Sequence, residues 1–175
     1  MRTVFFHEDD YCQLEILPLT ARGFCLKEIA NIGDFSKNHQ ADFGFTDVYL
    51  LEDSAHKLVE LALRPEQLDT ALSFLPSYDR VETGYASQRV ECTETHAKGN
   101  GRGQTVFWSV DKDGLVDAIW LDLWITPETK ERWRDILTAL GQLAPVLLAD
   151  WCLPCCVNLT SAEEIYRYIK RSADE

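Results

Sequence analysis

No stretch of the 175-residue chain approaches the roughly 18 consecutive apolar residues that a membrane-spanning helix needs. At the N-terminus, Met1-Arg2-Thr3-Val4-Phe5-Phe6 runs into the charged tetrad His7-Glu8-Asp9-Asp10 before the apolar core of a signal peptide can form. These absences predict a cytoplasmic protein that does not engage a membrane. Basic residues are scarce as well: 17 Lys and Arg face 29 Asp and Glu, leaving a net charge of −12. Such a surface repels nucleic-acid phosphates and anionic lipid headgroups, and it suits a basic protein partner.

Signatures of catalysis and of cofactor binding are missing too. There is no G-x-S-x-G elbow, no glycine-rich loop ending in lysine and a hydroxyl residue, and no second C-x₂-C or H-x₃-H pair. The sequence contains no internal repeats and no low-complexity runs. Six cysteines in a cytoplasmic setting read as reduced thiols, so we expect a chain that works without a metal ion or a cofactor.

What is present is globular in character, with 46% hydrophobic and 26% charged residues. The chain is organised around residues 104–125, QTVFWSVDKDGLVDAIWLDLWI. Val106, Trp108 and Val110 alternate with Thr105, Phe107 and Ser109; after Asp111-Lys112-Asp113-Gly114, Ile119, Leu121 and Leu123 alternate with Trp120, Asp122 and Trp124. Two strands folded back on each other explain this pattern, with Gly114 supplying the positive φ of a bulged turn. Both strands are too apolar for a sheet edge and belong inside a sheet.

The remaining elements follow from local periodicity. Residues 3–6 and 11–17 read as a first hairpin, and the spacing of Phe24, Cys25, Ile29, Ile32 and Phe35 predicts a helix over 20–37. Residues 46–52 and 57–63 read as a strand pair, with a helix over 54–63 as the alternative. Pro65 opens a helix carrying Leu68, Ala71, Leu72 and Leu75. Residues 80–95 read as one extended segment paired with the central hairpin, with a bulge at Gly84. A helix beginning at Thr126-Pro127-Glu128 buries Trp133, Ile136, Leu137 and Leu140 and stops at Gly141, and strands follow over 146–151 and 155–159. Thr160-Ser161-Ala162-Glu163 is a capping box for a last helix with Ile165, Tyr168 and Ile169 inward. Adjacent strands joined by short turns predict a single α+β domain over residues 1–175: a mainly antiparallel sheet with about four helices packed on it.

Four groups of side chains are candidates for function. Trp120 and Trp124 flank Asp122 on one strand face, the make-up of an aromatic binding anchor beside a carboxylate; a covering helix is the plainer reading. Trp151-Cys152-Leu153-Pro154-Cys155 resembles the W-C-x-P-C active site of thioredoxin-like oxidoreductases, a resemblance of five residues followed by Cys156. It implies a nucleophilic Cys152 and a resolving Cys155. In that family the motif opens a long helix, whereas the 19 residues after Cys156 read as a short strand and one helix, which favours a cysteine-rich turn. The same pair has zinc-ligand spacing, and Cys12, Cys25, Cys92, His7 or His96 would have to complete the site singly. Residues 96–103 form a basic, glycine-rich loop whose Lys98 and Arg102 suit an anion; followed by a strand, it reads instead as a mobile hairpin loop. His7-Glu8-Asp9-Asp10 reads as a solvated turn.

Together these features point to a non-enzymatic binding protein that captures a basic protein, as an immunity protein neutralises a toxin. The alternative is a thiol-redox or zinc protein centred on Cys152, Cys155 and Cys156.

Overall fold

The alternation in residues 104–125 becomes a long hairpin inside a six-stranded antiparallel sheet. The computed structural model describes residues 1–52, 54–85 and 88–174. The first half of the chain contains β1 (Thr3–Phe5), β2 (Leu14–Pro18), α1 (Arg22–His39), β3 (Gln40–Ala41), β4 (Gly44–Phe45) and α2 (Pro65–Ala71). The second half contains β5 (Arg80–Tyr85), β6 (Gln88–Glu91), β7 (Thr95–Gly99), β8 (Gln104–Val110), β9 (Val116–Leu123), α3 (Lys130–Leu143), β10 (Val146–Asp150), β11 (Cys155–Asn158) and α4 (Ala162–Asp174). The large sheet has the order β11-β10-β2-β9-β8-β7, a smaller one the order β1-β5-β6, and β3 pairs with β4 alone. This is an α+β fold with mainly antiparallel pairing, and no helix among the described residues is long and apolar enough to cross a membrane.

Both faces of the large sheet are covered, by different means. On one face Ile16, Val106, Trp108, Ile119, Leu121 and Leu148 meet α2, α3 and α4 in the largest core. The stripe Trp133, Ile136, Leu137 and Leu140 seats α3 there, and α3 continues past Gly141 to Leu143. Gly141 is a packing glycine, since a Cβ at this position would lie 1.8 Å from the Leu159 carbonyl oxygen. The N-terminus of α4 is capped one residue later than the expected box from Thr160 to Glu163: the Ser161 hydroxyl accepts from the Glu164 N–H at 3.3 Å, while the Thr160 hydroxyl donates to Asn158.

The opposite face is divided. Phe107 and Trp120 stack at 5.4 Å and pack under the small sheet with Val4, Phe6 and Val81. Leu17, Leu147 and Ala149 pack with Ala21 and Cys25 at the start of α1. The rest of α1 and the return segment over 40–52 form an arm held by buried Glu28, whose carboxylate accepts from the Asn31 amide and the Tyr49 hydroxyl, both at 2.9 Å. Phe43, Phe45, Val48 and Leu50 on this arm are exposed.

Several local expectations give way to long-range pairing. The predicted first hairpin does not form: β1 runs parallel to β5 in the small sheet, while β2 lies between β10 and β9. Residues 80–95 are not one strand against the central hairpin but the β5–β6 hairpin plus the first residue of β7, and Gly84 takes φ +128 with the Gln88 carbonyl against it. On its other side from β9, β8 pairs with β7, which claims residues read as loop. The pair over 46–52 and 57–63 is also absent, and Leu58–Leu61 is a single 3-10 turn. In each case strands that look alike locally are sorted by which sheet can bury them, a choice that depends on partners distant in sequence.

Replacing Trp133, which has no exposed surface, with alanine is expected to cost about 3–5 kcal/mol in chemical denaturation, as loss of a large core aromatic does.

Candidate functional site

The small sheet is shorter than the face it covers, and it leaves a cleft of about 680 Å³ beside it. His7, Asp10 and Gln13 line one side; Tyr78, Arg102, Trp120, Asp122 and Trp124 line the other. The charged tetrad supplies two of these groups. It forms a 3-10 turn over Glu8–Asp10, capped by the His7 ring accepting from the Asp9 N–H at 3.3 Å and tied by the Tyr85 hydroxyl donating to Asp9 at 2.7 Å.

The three residues read as a binding face have distinct fates although they share that face. Trp120 is only 2% exposed, wedged between Phe107, Phe6 and Tyr11. It is core, but the small sheet covers it rather than the helix of the plainer reading. Trp124 lies beyond the end of β9 and is 66% exposed at the cleft. Asp122, between them, is partly buried and accepts from the Gly103 N–H at 2.8 Å.

Gly103 fixes this arrangement, and nothing local in the sequence marks it above the neighbouring glycines. Its carbonyl accepts from the Trp124 N–H at 2.9 Å and from the Trp133 indole at 3.1 Å. Its φ is +72, and a Cβ here would sit 2.6 Å from the Trp124 Cβ. The adjoining turn is held by the Gly101 N–H donating to the Tyr78 hydroxyl at 2.7 Å and by the Thr105 hydroxyl donating to the Gly101 carbonyl at 2.9 Å. An α3 core residue and the cleft are thereby joined through one glycine.

Burial raises the pKa of the Asp122 carboxyl above its ordinary value, and the charge on Asp10 adds to this; the Gly103 N–H and Arg102 pull the other way. Asp122 and Asp10 therefore form an electronegative cleft only partly neutralised by Arg102. Exposed indole and carboxylate side by side can stack on and pair with a guanidinium or ammonium group.

The other candidates are dispersed. Lys98 belongs to β7, is buried, and donates to the Asp69 carbonyl at 3.1 Å while pairing with the Asp69 carboxylate at 3.4 Å. Arg102 lies in the cleft on the far side of the sheet, so the two cations do not converge on an anion. Cys152 is exposed and donates to the Gln13 side chain at 3.3 Å; burial, followed by Asp150 and Asp10, raises its pKa, the opposite of what a nucleophile needs. The motif opens strand β11 rather than a helix, and Cys155 and Cys156 point to opposite faces of the sheet. No group of three or more His, Cys, Asp or Glu side chains among the described residues is placed to hold a metal. Cys156 instead packs into the cluster that holds Cys25, a residue far away in sequence, and spacing gives no sign of it.

No protein-family model matches the chain, and no curated protein or solved structure resembles it significantly.

The raised pKa has a signed consequence. Folded Asp122 holds its proton more tightly than unfolded Asp122, so its contribution to stability falls as pH rises from the ordinary carboxylate pKa through the folded one. In thermal melts across that window, Asp122→Asn should remove this fall and leave Tm at pH 7 equal to or above the parent's, because an amide oxygen can still accept from Gly103. Gly103→Ala should instead lower Tm at every pH and change the Trp124 emission, because the new methyl group displaces the ring.

Proposed function

We propose that this protein is a non-enzymatic binder of a basic protein, an inhibitor of the immunity-protein kind, and that the cleft at Asp122 and Trp124 receives a cationic side chain of its partner. The observation that carries the reading is Trp124 itself: a large aromatic, 66% exposed, its backbone tied to Gly103 beside a carboxylate that is charged at the expense of stability. A surface tryptophan is the residue type on which binding energy concentrates. The net charge of −12 adds long-range attraction for a basic partner, which acts chiefly on the rate of encounter. A protein fits better than a small cation because the arm offers a second contact. Phe43, Phe45, Val48 and Leu50 are exposed there beside Asp42 and Asp47, an apolar patch with an acidic rim.

The experiment is capture of basic proteins from the native host on the immobilised chain, followed by kinetics with the protein retained. Association should slow steeply as salt rises, and Trp124→Ala should weaken binding roughly 30-fold, through faster dissociation, with Tm unchanged. Association indifferent to salt, together with unaltered dissociation from Trp124→Ala, would contradict the proposal.

A further inference from the structure

We propose that Cys25 and Cys156 are a redox-modification site, a thiol pair that a peroxide converts into a disulfide joining α1 to the edge strand β11. Neither residue belongs to the cleft, and the pair is independent of the binding function proposed above.

The geometry rests on the packing of α1 against the sheet. Cys25 lies in the first turns of α1 with no exposed surface, in the cluster formed by Leu17, Ala21, Leu147 and Ala149. Cys156 alternates with Cys155 along β11, which turns its side chain away from α4 and into that same cluster. Cys156 stands directly across the β10–β11 pairing from Ala149, and Cys25 packs in the same cluster as Ala149, so the two thiols meet between α1 and the sheet. Among the described residues no disulfide is formed, so both thiols are available.

Their exposure differs as that of a resolving and a peroxidatic thiol must: Cys25 is buried, while Cys156 is half-buried. Donation from Cys25 lowers the pKa of Cys156, opposed by partial burial; the Arg22 guanidinium adds to the lowering, and Glu164 works against it. Arg22 stands one helical turn before Cys25, paired with the Glu164 carboxylate at 3.3 Å, so the cation is held in place. Cys25 moves in the other direction: the hydrogen bond to Cys156 and burial both raise its pKa, with a smaller contribution from Glu15. Cys156 is also partly exposed, so an oxidant reaches it first.

With hydrogen peroxide as oxidant the chemistry balances in two steps. The Cys156 thiolate attacks one peroxide oxygen and breaks the O–O bond; the hydroxide released takes the proton that Cys156 lost, giving water and a sulfenic acid at Cys156. The Cys25 sulfur then attacks the sulfenic sulfur, the S–O bond breaks, and the departing hydroxide takes the Cys25 proton as a second water. One peroxide is reduced by two electrons, and two thiols become one disulfide.

The test is peptide mapping by mass spectrometry without reductant, after the reduced protein has met one equivalent of hydrogen peroxide. The expected result is a chain lighter by two hydrogens, with the Cys25 and Cys156 peptides joined, a higher Tm, and full reversal by dithiothreitol. Cys152→Ser should leave the bond intact. In Cys25→Ser, a dimedone probe should label Cys156, because its sulfenic acid has lost its resolving thiol. A bond between other cysteines in the unaltered chain, or peroxide treatment that leaves both Cys25 and Cys156 as free thiols, would overturn the proposal. The mapping is made on the unaltered protein, so it stands even if a serine variant fails to fold.

Discussion

Two apolar faces on one hairpin are the constraint from which the rest of the structure follows. Along β8 and β9, Trp108, Val106, Ile119 and Leu121 point one way while Phe107 and Trp120 point the other, and every one of them is buried. A hairpin with a single apolar face could lie on one helical layer with its back in water. This one needs two covers, and the chain spends its elements accordingly: α2, α3 and α4 on the Trp108 side, β1 and β5 on the Trp120 side. The indole N–H groups of Trp108 and Trp120 find no acceptor among the described residues, so both rings are held by packing alone. The second cover stops short of the end of β9, and the uncovered end is the cleft.

Gly103 turns that gap into a defined site. It occupies Asp122 with its N–H, and with its carbonyl both the Trp124 backbone N–H and the Trp133 indole, so the backbone that carries the exposed indole is braced against the core of α3. An aromatic on a braced backbone loses less freedom on binding, which helps one side chain to contribute strongly to affinity. The carboxylate beside it carries a cost in the free protein, and an opposing charge would relieve it. The same geometry therefore accounts for a local loss of stability and supports the proposed preference for a cationic group, in keeping with the acidic composition.

Features set by neighbours in sequence are legible in sequence. The hairpin over 104–125, the Trp133 stripe, the β10–β11 return and, to within one residue, the start of α4 all follow from local periodicity or capping. Features set by distant partners are not. Residues 3–6 and 11–17 read as a hairpin because adjacency usually means pairing, yet β1 finds β5 and β2 finds β10. Trp120 and Trp124 have identical alternation, and only the length of a cover built from other segments decides that one is core and the other exposed. Lys98 reads as loop because glycines follow it; the pairing of β7 with β8 and the Asp69 carboxylate on α2 draw it inside. The contact between Cys25 and Cys156 exists because α1 crosses the edge of the large sheet, which no spacing could reveal.

We propose a pocket for a cationic side chain at Asp122 and Trp124, set by Gly103. Its most direct test is a titration of the isotope-labelled chain with a short arginine-containing peptide, followed by NMR, with a glutamate-containing peptide as control. The account predicts saturable shifts of the Gly103 amide and the Trp124 indole resonance with the arginine peptide, weakening as salt rises, and none with the control. Shifts spread across the acidic surface that leave Gly103 and Trp124 unmoved would contradict it.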